Sequence, residues 1–126
     1  MSDIGLFGHL RGLQHVNLPA TDLERSREFY LDKLGLPELP RPAFETPGVW
    51  VGAGPENAIH ISKVAVLGPN PNNHFALEVE DLESLLDLLE ERGVAVKRSA
   101  RVPAAGRQAF LSDPDGNIIE LNQPPN

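Results

Sequence analysis

The chain contains no cysteine, which excludes a disulfide framework, thiolate metal sites and a cysteine nucleophile. It is short of bases: 11 Lys and Arg against 18 Asp and Glu leave a formal net charge of −7. That balance argues against a protein that depends on nucleic-acid phosphates or on an anionic membrane surface. No apolar run approaches the roughly 20 residues that cross a bilayer. The opening stretch MSDIGLFGHLRG lacks the basic start and unbroken apolar core of a secretion signal, so the expected address is the cytoplasm. What is present is a chain of 126 residues, 40% hydrophobic. That is enough for one domain to bury a core without covalent or metal staples.

The sequence is written twice. HVNLPATDLERSREFYLDKLGL, from His15, aligns with HFALEVEDLESLLDLLEERGV, from His74, and places Asp22-Leu23-Glu24 over Asp81-Leu82-Glu83. Gly35 and Gly93 close the two aligned stretches. Towards the end of each copy, Trp50 aligns with Phe110, Asn57 with Asn117, Ile59 with Ile119 and His60 with Glu120. The chain is therefore expected to form a single domain over 1–126. Its first module covers about 10–66 and its second about 73–123, joined stiffly through Gly68-Pro69-Asn70-Pro71-Asn72-Asn73.

Each copy opens with an alternating strand: His15 and Asn17 on one face, Val16 and Leu18 on the other. A helix follows. Thr21-Asp22-Leu23-Glu24 reads as a capping box with Thr21 as N-cap, and Asp81 is the expected N-cap of the second helix, whose apolar stripe is Leu82, Leu85, Leu86 and Leu89. Gly35 and Gly93 stand where a left-handed residue ends a helix. Shorter strands follow. The last two in the second copy, Gln108–Ser112 and Asn117–Asn122, are joined by Asp113-Pro114-Asp115-Gly116, which is turn chemistry rather than catalysis. The expected class is α+β, built from two tandem βαβββ modules with one helix outside each small sheet.

His15 and His74 occupy matching positions, and so do His60 and Glu120. If the two copies pack about a pseudo-twofold axis, all four can converge on one cavity. Three imidazoles and a carboxylate suit a single divalent cation such as Zn, Ni, Fe(II), Co or Mn. His60 could instead support a ligand or contact substrate. Strand alternation fits a cavity: His60 shares its face with Ala58 and Ser62, Glu120 with Ile118 and Asn122, while Ile59, Ile61, Ile119 and Leu121 point the other way. His9 is read as incidental. Trp50 and Phe110 are candidate substrate walls, with ordinary core packing as the alternative. Asn17, on the His15 face, is a candidate partner for a substrate or a metal ligand. Lys97, Arg98, Arg101 and Arg107 could hold an anionic tail or form a solvated loop, and Arg41 is a similar candidate.

With these residues in view, the sequence resembles the vicinal oxygen chelate superfamily, which includes glyoxalase I, fosfomycin-resistance thiol transferases, extradiol dioxygenases and bleomycin-binding proteins. The resemblance rests on HVNLPATDLERSREFYLDKLGL, NNHFALEVEDL and FLSDPDGNIIELNQ. It implies the glyoxalase/bleomycin resistance/dihydroxybiphenyl dioxygenase fold around a divalent metal, with ligands at His15, His74 and Glu120 and often a fourth at His60. It also implies a homodimer in which both chains contribute to a site. The activity to expect is a glyoxalase-like lyase or isomerase. Such an enzyme moves a proton with metal assistance on a small substrate with vicinal oxygens, possible thiol conjugates included, and Glu120 serves as ligand and base. A single-chain extradiol-type dioxygenase and a non-catalytic binding or sequestering protein are the alternatives. Relatives among the glyoxalase I enzymes carry Glu where this chain has His60.

Overall fold

Each copy of the repeat builds its own four-stranded sheet, and the two sheets have the same strand order. The computed structural model describes residues 5–69, 73–99 and 106–125. Asn70, Pro71 and Asn72 of the joining run, and Arg101, lie outside the described residues. After a single-turn helix α1 (Leu6–His9), the first half runs β1 (His15–Ala20), α2 (Leu23–Arg27), β2 (Glu38–Leu39), β3 (Gly48–Gly52) and β4 (Ala58–Lys63). The second runs β5 (His74–Glu78), α3 (Leu82–Glu91), β6 (Lys97–Arg98), β7 (Arg107–Ser112) and β8 (Ile118–Gln123). The sheets are ordered β1-β4-β3-β2 and β5-β8-β7-β6. In each, the first and last strands pair in parallel and the rest antiparallel. The α+β class and the βαβββ order expected from the repeat are both found.

The helices are held as their ends require, with one correction. Asp81 caps α3 by accepting from the Ser84 hydroxyl at 2.8 Å and the Ser84 amide at 3.2 Å, and these bonds, the hydroxyl's first, hold its carboxyl below the usual range. In the first half the N-cap is Asp22, which accepts from the amides of Glu24 and Arg25, not Thr21. Thr21 is drawn away by a partner distant in sequence: both its amide and its hydroxyl donate to Asp115, at 3.0 and 2.7 Å. Beyond Arg27 the helix widens into a π-helical turn, Glu28–Lys33. Gly35 and Gly93 then adopt φ of 72° and 80°, the left-handed ends that a side chain disfavours.

One apolar cluster joins both halves. Ile59, Ile61, Val49 and Val51 come from the first sheet, and Ile119, Leu121, Ala109 and Leu111 from the second. Leu82, Leu86 and Leu89 of α3 and Phe29 and Tyr30 of the first helix are buried with them, and Leu85 is partly buried. Alternation along the strands decides this: every second residue of β4 and β8 enters the core.

The Asp113-Pro114-Asp115-Gly116 turn also fastens the halves together. Asp113 accepts from the buried Tyr30 hydroxyl at 2.7 Å, from the Asn117 side chain at 2.8 Å and from the amides of Asp115 and Asn117. Asn117 in turn donates to the Pro19 carbonyl at 3.0 Å. Burial, and then the Asp113 carboxylate, drive the Tyr30 phenol far above its ordinary pKa. It therefore stays a donor at every pH the fold survives.

Candidate metal and substrate faces

On the first sheet, the register sets Asn17 of β1 and Trp50 of β3 on either side of His60 of β4. Because alternate residues share a face, His15 and Ser62 rise on the same side. The rings pack as a column. His15 lies 3.8 Å from His60 between centroids at 19°, and His60 lies 4.0 Å from Trp50 at 5°. Phe44 extends the column, its centroid 6.0 Å from Trp50. Trp50 is thus a wall of this face and not part of the aliphatic core. Ser62 donates to the Asn17 side-chain oxygen at 2.7 Å.

Gln14 Oε1 stands 3.0 Å from His15 Nδ1, a contact that orients the ring. His60 is pushed below its ordinary pKa, first by loss of hydration, then by the neighbouring His15 and by the Arg41 guanidinium.

The second sheet repeats the register with other side chains. Phe110 of β7 faces Glu120 of β8, and Gln108 faces Asn122. Glu120 is only 8% exposed, which a carboxylate tolerates only with partners. Its Oε2 accepts from Gln108 Nε2 at 3.2 Å and from Asn122 Nδ2 at 3.0 Å, and its Oε1 lies 3.2 Å from His74 Nε2. Phe110 meets the His74 ring edge-on at 5.8 Å. Beside His74 and Phe110 opens a cavity of about 950 Å³, lined also by Phe29, Lys33, Val94 and Lys97. Two amides grip one carboxylate oxygen and leave the other turned to an imidazole. That arrangement suits an oriented ligand or a base.

The four expected ligands therefore come together as two pairs, His15 with His60 and His74 with Glu120. Among the described residues, no group of three or more His, Asp or Glu side chains is placed to hold a metal ion. Sequence symmetry puts equivalent donors at equivalent points of two sheets; it does not bring the two sheets face to face. The donor chemistry of three imidazoles and a carboxylate fits a divalent cation, and each pair supplies half of such a set.

Two functional neighbours went unread in the sequence, Gln14 and Gln108, whereas alternation had already set Ser62 on the His60 face and Asn122 on the Glu120 face. Period-two spacing could also have found Gln108, two residues from Phe110 on the same face. Of the basic residues, Arg98 is engaged by Glu83 and Glu90 on the surface, whereas Lys97 lies opposite Phe110 in register. No described helix is long and apolar enough to cross a membrane.

Residues 12–121 match the model of the glyoxalase/bleomycin resistance protein/dioxygenase superfamily. A protein of Synechocystis sp. named "Probable lactoylglutathione lyase" is 34% identical over 124 residues, covering 88% of this chain and 94% of that protein. Among solved structures, a glyoxalase family protein from Bacillus anthracis superposes with a TM-score of 0.83 at 27% identity, covering 91% of this chain and 96% of its own. TnmS3, an antibiotic binding protein from Streptomyces sp. CB03234, superposes at 0.72 with 32% identity, covering 91% and 97%. With its two like sheets and this match over most of its length, the chain belongs to the glyoxalase/bleomycin resistance protein/dioxygenase superfamily.

Proposed function

We propose that this protein is a divalent-metal-dependent enzyme of glyoxalase-like type, a lyase or isomerase that moves a proton on a small substrate with vicinal oxygens. The observation that carries the reading is the Glu120 carboxylate, buried and gripped by Gln108 and Asn122 with one oxygen turned to His74. His15, His60, His74 and Glu120 would hold the metal. When bound, it would supply Lewis-acid polarisation of the substrate oxygens and ease loss of a proton next to a carbonyl.

The chain's own groups supply the rest. Glu120 takes the proton and returns it to the neighbouring carbon; the two amides on Oε2 keep Oε1 aimed while the charge on the carboxylate changes. Trp50 and Phe110 wall the substrate and exclude water, and Asn17, held by Ser62, offers an amide to a substrate oxygen. Likeness to a protein named as a lactoylglutathione lyase supports a thiol conjugate among the candidate substrates.

Since one chain presents its donors as two pairs, the working unit is a homodimer in which the first-sheet face of one copy meets the second-sheet face of the other. The exposed apolar residues Leu6, Phe7, Leu10 and Leu13 offer surface for that association. The test is elemental analysis of wild type, H15A and E120A, alone and after H15A and E120A are unfolded and refolded together. The expected result is metal lost from each variant and partly restored in the mixture, because one of the two shared sites then receives only intact halves. No metal in wild type, even after reconstitution with Zn, Ni, Mn or Fe(II), overturns the metalloenzyme reading. Restoration failing while metal binds places all ligands in one chain.

A second reading, a non-catalytic small-molecule binding protein, is favoured by the ring column Phe44–Trp50–His60–His15 and by the likeness to TnmS3. Ligand binding without turnover that survives metal removal would decide for it.

A further inference from the structure

Beyond its influence on His60, Arg41 has no part in the mechanism proposed above, yet it lies on the same face. An ideal Cβ at Gly48 would come within 2.8 Å of Arg41 Nη2 and 2.9 Å of its Nε. Gly48 stands two residues from Trp50 on β3, so its missing side chain would rise on the Trp50 face. The guanidinium therefore fills the space of a side chain there, one row along from His60 and beside Ser62, the register partner of Gly48. A side chain at Gly48 would meet the Ile61 carbonyl at 2.6 Å as well as the guanidinium, so glycine is what lets both sit there.

The arginine is placed but not neutralised. Nη2 donates to the Thr46 carbonyl at 2.7 Å, and the guanidinium carbon lies 4.9 Å over the Phe44 ring. Nε is buried without any hydrogen-bond partner, and no carboxylate among the described residues pairs with this side chain. In a chain with an excess of acids, a half-buried cation without an acidic partner is unusual. A guanidinium keeps its charge and offers a planar fork suited to a carboxylate. A half-buried charge with no acidic partner carries a cost that a bound oxyanion would lower.

We propose that Arg41 is a specificity-determining residue that binds a carboxylate of the substrate, so that this site takes small organic acids. The acid's vicinal oxygens lie at the His15–His60 row, and its carboxylate lies about 7 Å away along the strand, one alternation of the pleat. The proposal rests on the reading of the His15–His60–Trp50 face as the substrate face, and it adds which end of the substrate carries charge and which residue reads it. Phe44 and Trp50 would flank the connecting carbons.

Trp50 is the chain's single tryptophan, so its fluorescence reports on this face alone. Titration with 2-hydroxyglutarate and with 2-hydroxyvalerate compares the same hydroxy-acid head with and without a distal carboxylate. Wild type should bind the dicarboxylate about tenfold more tightly, the size expected for one charge-assisted pair. R41M should erase that preference and leave 2-hydroxyvalerate unchanged. R41K, which keeps the charge and loses the fork, should retain part of it. Equal affinities in wild type, a preference that survives R41M, or no response to either acid would each overturn the proposal. Running the series on metal-free and metal-reconstituted protein separates it from the metal reading. Preference for the dicarboxylate in a protein that binds no metal upholds Arg41 and removes the enzyme mechanism. Metal binding with no preference does the reverse.

Discussion

At matching points the two sheets carry different side chains, and the differences are coupled. Where the first has Asn17, His60, Trp50, Ser62 and Gly48, the second has Ala76, Glu120, Phe110, Asn122 and Gln108. An imidazole can sit half-exposed in a column of rings with few hydrogen bonds. A carboxylate that is nearly covered cannot. The exchange of His60 for Glu120 is therefore accompanied by two amides, and one of them, Gln108, occupies the very position that glycine leaves empty in the first sheet. The same vacancy that admits Arg41 in one half is filled in the other by the group that steadies Glu120. The two faces are one scaffold tuned for two chemistries: an aromatic and imidazole face with a cation at its margin, and an acidic face with amide support.

The strongest way to break this contrast is to remove the charge on which the second face is built. E120Q should cut turnover of a glyoxalase-type substrate about a hundredfold or more and lower metal occupancy, read by single-turnover kinetics and elemental analysis. Next in size is the bond set that fixes the halves together. D113A leaves Tyr30, Asn117 and two amides without their acceptor, and should cost about 3 kcal/mol in urea unfolding; a loss below about 1 kcal/mol would show that water replaces it freely. Q108L tests the support of Glu120 directly. It should weaken metal affinity about tenfold with the fold intact, whereas N17A, in the half whose donors need no such support, should change it little.

The smallest effect is a shift in titration. In the metal-free protein, proton NMR should find His60 titrating below the ordinary imidazole value of 6.5, and R41M should move it upward by removing a nearby positive charge. The sign for stability follows. The unfolded chain takes up this proton before the folded one does, so acidification below about 6.5 weakens folding until His60 itself protonates, and above that range it contributes nothing. A His60 that titrates above 6.5 would reverse both statements.

Much of this was legible because it is local or periodic. Gly35 and Gly93 mark helix ends by their tolerance of positive φ, Asp81 caps by its side chain, and alternation in Ile59-His60-Ile61 and Ile119-Glu120-Leu121 assigns core and site faces without reference to the rest of the chain. The failures are of one kind. Thr21 has the composition of a cap, but Asp115, far along the sequence, competes for it, and Asp22 takes its place. Apart from these, repetition told which donors are equivalent but carries no information on how two sheets are docked, so whether the four ligands belong to one chain or to two could not be read from it. Gln108 was passed over because an amide near a strand start has no meaning until a register sets it beside a carboxylate.

The turn at Asp113–Asn117 gives the repeat a direction. In the first half the matching segment, Gly54-Pro55-Glu56-Asn57, spends its amide on Leu13 of its own half. The second-half turn instead holds Pro19, Thr21 and Tyr30, all in the first. Dependence therefore runs backwards along the chain: the part synthesised last completes the part synthesised first. A nascent first half cannot make its Tyr30 and Thr21 bonds to this turn until the second half has followed it. A gene cut between the copies would break these bonds for both pieces: Tyr30 and Thr21 would lose their acceptors, and Asp115 the two donors that Thr21 gives it.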